Sequence, residues 1–402
     1  MKLAVATMAS IFSYSLALAD APVIRAVGTF GVEKPAFLQL QHVDGSGDLA
    51  LTIASFGVFG GNAVRILPKA SAAFSDLSSL SLSLIADNIK WPNDARALDA
   101  SVLGRRGLLV SGGFLTPGNS NGAVTFVDLD TKEQFVLTRP KNGWWYHRSE
   151  LRDMNGDGRM DIVTGRATKS IFGGSGEELL WLENPGSIDG DWKEHLIGKG
   201  PGVNFRLYDI DGNGVEEIIA TQFFSKQLSV WWREADGRWS SRVIDKTLGS
   251  AFDAEVADLN GDGVNELLVT NHESANGKVF AYIMPKDFIK GEWKRHTILE
   301  GIETRQGGMN QASPGQAITF FPSIAYKGKP YILVSGDGSQ RAHLLVPKSQ
   351  DPNNWQYAEQ IVVNAGCTVG QSAVGDVNGD GFADIFVPAY DSNKIHVFTF
   401  AP

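Results

Sequence analysis

The sequence predicts an all-β protein, a seven-bladed β-propeller of four-stranded blades, and three observations carry that expectation. A ten-residue loop motif recurs at Asp153, Asp209, Asp258 and Asp376. The intervals are filled by short β-branched and aromatic runs split by Gly, Asn and Asp turns, without helical periodicity. The last unit lacks its fourth strand, and a spare strand stands near the N-terminus.

In chain order, Lys2 precedes an apolar run from Leu3 to Leu18, and Ala17-Leu18-Ala19 supplies a small-x-small cleavage site. Residues 1–19 therefore read as a secretory signal peptide, because the run is short for a membrane span and holds four Ser or Thr residues. Residues 20–402 read as one propeller domain of an extracellular protein. Cys367, the only cysteine, has no partner in the chain, so disulfides do not hold the fold.

The motif starts are 56, 49 and 118 residues apart, so the last gap holds two units. Degenerate copies fill the remaining places. Asp44-Gly45-Ser46-Gly47-Asp48 keeps part of the loop; the segment from Asp99 through Leu103–Val110 keeps the turn and the following strand. Tyr326–Pro330 leading into Tyr331–Val334 does the same, which makes seven units of about 55 residues. Each unit reads as four strands. In the fourth unit the first is Phe205–Tyr208 and the second Glu217–Ala220. Third strands are aromatic-rich, as in Val230-Trp231-Trp232, and fourth strands follow a tryptophan: Trp192–Ile197, Trp239–Ile244, Trp293–Ile298 and Trp355–Val362. The chain stops after a third strand, and Val23–Phe30 can supply the missing one, closing the ring and removing its exposed edge.

A formal charge of -9 argues against a nucleic-acid partner, which would require a basic surface. Twelve carboxylates sit at the ligand positions of the four clear loops, so four Ca²⁺ would bring the chain near neutrality. No membrane association is expected, and the protein should be a monomer.

The loops place oxygen side chains at positions 1, 3, 5 and 9 and Gly at 4 and 6. The expected calcium ligands are Asp153, Asn155, Asp157 and Asp161; Asp209, Asp211, Asn213 and Glu217; Asp258, Asn260, Asp262 and Glu266; and Asp376, Asn378, Asp380 and Asp384. Calcium favours six to eight oxygens on a tight loop. An EF-hand is excluded, because position 12 is Thr164, Ala220, Val269 or Val387 rather than Glu, and strands flank the loop. With its position-9 acid directly before a strand, the motif resembles the FG-GAP/VCBS repeats of integrin-type propellers. That resemblance implies structural Ca²⁺ on a lower face, with ligands bound on the opposite face.

Upper-face positions follow by counting from the loops. Asp94, Arg148, Asn204, Asp253 and Gln371 stand five residues before a loop; Arg96, Glu150, Arg206 and Glu255 stand three before. At second-strand ends stand Arg166, Gln222, Asn271 and Ala389, followed by His272 and Tyr390. This polarity suggests a central pocket, with Trp145 and Tyr146 offering flat faces to sugars. The long Glu300–Pro322 segment, with Arg305, Gln306, Asn310 and Gln311, could cover it. His195, His296, His343 and His396 lie in outer strands and read as structural; His147 and His272 are the upper-face histidines.

A glycosidase would need two carboxylates about 5–9 Å apart, but the acids here have arginine neighbours. A uronate lyase needs a cation or amides against the sugar carboxylate, a base for the C5 proton and an acid for the leaving oxygen. Trp145-Tyr146-His147-Arg148, Arg166 and Val269-Thr270-Asn271-His272 resemble the site of secreted fungal lyases that cleave rhamnose from glucuronate in arabinogalactan side chains. The resemblance implies β-elimination on an acidic glycan, with Arg166, Gln222 and Asn271 neutralising the carboxylate and His147 and His272 as base and acid. Arg148, Asn204, Arg206, Asp253 and Tyr390 would complete the substrate site. A calcium-dependent lectin and a glycoside hydrolase are the alternatives.

Overall fold

In the computed structural model, which describes residues 23–43, 45–57, 60–113, 121–169, 174–305 and 312–402, seven four-stranded antiparallel sheets are arranged as a ring. The anticipated signal peptide lies outside the described residues, as do Gln306, Asn310 and Gln311. The first strands of blades one to seven are Pro35–Gln41, Asp94–Leu98, Trp144–Arg152, Asn204–Tyr208, Ala251–Ala257, Ala317–Phe320 and Ala373–Gly375. Each touches the first strand of the next blade, and the seventh touches the first, so these strands form the inner wall. Later strands of each blade lie progressively further out.

The ring closes as anticipated. Arg25–Gly31 pairs antiparallel with Lys394–Thr399 as the outermost strand of blade seven, in register from Arg25↔Thr399 to Gly31↔Lys394. The Arg25 guanidinium fastens the seam by donating to the carbonyls of Ala401 and Pro402, both at 2.7 Å. Of the tryptophans heading the fourth strands, Trp239 opens its strand, Trp239–Asp245, whereas Trp192, Trp293 and Trp355 stand just before theirs; Trp192 is buried, with Nε1 donating to the Ile188 carbonyl at 3.3 Å. Cys367 is buried without a disulfide.

The apolar core is distributed. Seven buried clusters occur among the described residues, and each spans two adjacent blades: Leu109 with Ile162, Val163 with Phe205, Leu268 with Ile332, Phe386 with Leu38. Hydrophobic burial thus holds blade against blade, at about 25 cal/mol per Å² removed from water. The axis does not have to supply apolar packing, and polar chemistry can be placed there.

Candidate functional site at the axial mouth

The loops form one face. In each, the first Asp gathers backbone N–H groups: Asp153 accepts from Gly156 (2.7 Å), Asp157 (3.2 Å) and Gly158 (2.9 Å). The same pattern recurs at Asp209, Asp258 and Asp376. Gly156 and Gly158 adopt φ of +78° and +84°, a region that side chains with a Cβ disfavour. Carboxylate oxygens of Asp209, Asp211 and Glu217 lie within 4.8 Å of one another. Burial, then repulsion from the acids of the same loop, pushes Glu217 and Glu266 up to about 7 and Asp384 to about 6. Converging like charges of this kind fit a hard divalent cation, whose charge would offset the repulsion. The two degenerate loops that lack the acids carry cations of their own. Arg105 and Arg106 pair with Asp128 and Asp130 in blade two, and in blade six the buried Lys329 ammonium donates to the carbonyls of Asp351 and Asn354.

Further up the axis, the charged first-strand residues pair with one another. Arg96 grips Glu150 through two bonds of 2.8 and 3.0 Å, and Arg148 donates to the same carboxylate at 3.0 Å. Arg148 also reaches Asn204 Oδ1 at 3.4 Å and lies 3.9 Å from Asp253, which Arg206 meets at 3.4 Å. Asp94 accepts from Gln39 at 2.5 Å and from the Ser149 amide at 3.2 Å. Against the cost of burial, Arg148 and Arg96 hold Glu150 down at about 2. Arg148, Asn204, Arg206 and Asp253, anticipated as substrate contacts, are therefore committed to a network tying blades two to five together. Glu255 differs: burial pushes its carboxyl up to about 7 even though Thr319 donates to it and Arg206 is near.

The second-strand end positions are hydrogen-bonded to neighbouring protein groups. Arg166 donates to Glu178 (2.6 Å), to Glu194 (2.8 Å) and to the Tyr146 hydroxyl (3.2 Å), so its charge is neutralised within blade three. Gln222 bonds the Lys199 carbonyl and Gln227; Asn271 bonds the Leu248 carbonyl and the Lys278 amide. These side chains brace the hairpins to the third strands, because a second strand is shielded from the axis by the first. Counting along the chain found the height of these residues but not their direction. Trp145 and Tyr146 are 1% and 0% exposed, so their faces are packed, Trp145 edge-on to Phe224 at 6.0 Å.

The mouth itself is an aromatic collar. Phe37 meets His147 edge-on at 5.8 Å, and His147 meets Phe252 at 6.4 Å. Phe252 stacks on His272 at 4.9 Å and 24°. On the other side Phe37 stacks with Phe56, Phe56 with Trp91, and Tyr390 tilts against Phe56 while donating its hydroxyl to the Phe56 carbonyl at 2.6 Å. Lys34 Nζ stands 4.9 Å from the Tyr390 ring centre and 3.6 Å from Asp391. A bulge between Tyr146 and Ser149 delivers His147 to this collar. Burial, helped by Arg148, lowers His147 to about 3, so the ring is neutral in ordinary buffers. His272 is better placed for proton transfer. Its Nδ1 lies 2.8 Å from the Pro314 carbonyl and must donate there, which leaves Nε2 facing Asp337 Oδ2 at 3.8 Å. Asp337, 29% exposed, has its carboxyl raised by burial and drawn back by His272. The imidazole and the carboxyl thus face each other at the mouth, beyond direct hydrogen-bond distance.

Sequence reasoning missed Asp337 and the phenylalanines. Asp337 follows the second strand of blade six, Tyr331–Ser335, whose degenerate loop gave no ruler for aligning it. The collar did leave a signal: His147 and Phe252 both stand six residues before a loop, and His272 and Tyr390 both stand one past a second-strand end.

Two stretches of the chain match repeat families. Residues 209–269 match the FG-GAP-like repeat and residues 369–398 the FG-GAP repeat. No curated protein matches the sequence. Among solved structures, one described as luciferin-regenerating enzyme is similar over 94% of each chain, at 10% identity and a TM-score of 0.44. Among the described residues no helix is long and apolar enough to cross a membrane. The chain is a seven-bladed β-propeller carrying FG-GAP repeats.

Proposed function

We propose that the axial mouth binds a uronate-containing glycan and cleaves it by β-elimination at a 4-linked glucuronate, releasing rhamnose from arabinogalactan side chains outside the cell. The observation that carries this reading is the His272–Asp337 couple set in an aromatic collar. Aromatic faces suit the C–H faces of sugar rings, and His272 Nε2 is a base whose tautomer is fixed by the Pro314 carbonyl. In this scheme His272 Nε2 takes the C5 proton, electrons flow to form the C4–C5 double bond, and the C4–O bond breaks as the His272 imidazolium returns that proton to the leaving oxygen. Lys34, at the Tyr390 edge of the collar, replaces Arg166 as the cation facing the sugar carboxylate. His147 acts as a neutral wall of the site. Four loop-bound calcium ions would stabilise the blades from the opposite face.

The test is incubation with gum arabic while following absorbance near 235 nm and released rhamnose. Elimination raises both together, and His272→Ala abolishes both. Release without absorbance would point to a hydrolase; binding without release would point to a lectin.

A further inference from the structure

On the outer part of blade six, away from the axial collar, three side chains are aligned in a way the fold does not require. Ser339 Oγ lies 3.0 Å from His343 Nε2, and His343 Nδ1 lies 2.6 Å from Glu359 Oε1. Ser339 sits in the hairpin joining Tyr331–Ser335 to Arg341–Pro347, His343 on the latter strand, and Glu359 on Tyr357–Asn364. The hydrogen bond from His343 holds Glu359 below the usual carboxylate range, so Nδ1 donates to an ionised acceptor. Nε2 is then left as the acceptor for the Ser339 hydroxyl proton. A nucleophile, a base and an acid orienting the base, each within hydrogen-bond reach of the next, is the arrangement that activates serine.

Two further features accompany it. All three residues line one cavity of about 110 Å³, with Glu300, Glu303, Arg305 and Arg341 completing its charged wall. Arg341 Nε is buried there and has no hydrogen-bond acceptor among the described residues. The hairpin is also kept open for the contact: a Cβ on Gly336 would lie 2.1 Å from Ser339 Oγ and 2.9 Å from His343 Nε2.

We infer that Ser339, His343 and Glu359 form a second, independent catalytic site that hydrolyses short-chain acyl esters of polar alcohols. A cavity of this size admits an acyl group of the acetyl class and no long chain, and its charged wall disfavours an apolar alcohol. Ser339 Oγ attacks the ester carbonyl carbon as its proton passes to His343 Nε2. The acyl C–O bond then breaks, and the leaving alcohol takes that proton. Water attacks the acyl-serine, gives one proton to Nε2, and the carboxylic acid departs as Oγ recovers it.

The full chain is treated with a fluorophosphonate probe and digested for peptide mass spectrometry, and p-nitrophenyl acetate hydrolysis is followed in parallel. One equivalent of adduct on Ser339 is expected, with hydrolysis reduced at least 100-fold in Ser339→Ala. Glu359→Gln should slow labelling and move its pH midpoint, which a purely structural acid would not do. A natively folded wild-type chain, judged by circular dichroism, that takes up no probe at Ser339 overturns the inference whatever the variants do. The readout is independent of glycan cleavage.

Discussion

Replacing Glu255 by Gln should make the protein more stable at alkaline pH and leave it little changed at acid pH. In the folded chain burial lifts the Glu255 carboxyl from 4.5 to about 7, with Asp253 adding repulsion and Arg206 and Thr319 opposing it. A raised carboxyl binds its proton more tightly in the folded state, so its contribution is fully present below about pH 4.5. It is lost as pH rises through 7. A rise of that size corresponds to roughly 3 kcal/mol, and solvent screening reduces this to about 1–3 kcal/mol. Gln keeps an oxygen for the Thr319 amide and hydroxyl while removing the charge. Urea unfolding followed by tryptophan fluorescence, at about pH 5 and pH 8 with saturating calcium, measures the effect. Calcium is added so that loop acids that bind it do not titrate in the same window. Equal stability differences between variant and wild type at the two pH values would refute the placement of Glu255 as the protonatable member of the channel.

Other expectations follow from the same geometry. Chelation with EGTA should lower the melting temperature, since each site held at about 100 times its Kd contributes roughly 2.7 kcal/mol; an unchanged melting temperature would mean that the acidic loops fold as metal-free turns. Arg166→Met should cost about 3 kcal/mol of stability by leaving Glu178 and Glu194 without their shared partner; unaltered denaturant midpoints would return Arg166 to the list of substrate contacts. The His147 ring resonance should stay constant in NMR spectra from about pH 5 to pH 9, because its pKa is held near 3; titration in that range would reopen a proton-transfer role for it.

The fold was legible because its determinants are local and repeated. The loop at Asp153, Asp209, Asp258 and Asp376 marks the turn between first and second strands, and the spare strand and the short last unit complement each other. The site was legible only in part. Position along the chain fixed the height of Arg166, Gln222 and Asn271 above the loops, but whether a side chain faces the axis depends on strand order and on bulges such as that at Tyr146–Ser149. His272 and Tyr390 were found because residues just past a second-strand end reach the mouth. Asp337 stayed hidden because blade six had lost its loop, and the pairing of Ser339 with His343 and Glu359 because it joins a hairpin and two strands of one blade.

The seam of the ring bears on how the molecule is made. Arg25 pairs with Thr399, 374 residues downstream, so the strand synthesised first must wait for almost the whole chain before it finds its place. Six blades can assemble one against the next as they emerge, yet blade seven keeps an open edge until Arg25–Gly31 returns to it. Interrupted synthesis, or a clip between the first strand and blade one, would leave that edge available to other chains. Aggregation should therefore respond more sharply to lesions near either terminus than to equally large changes in the middle blades.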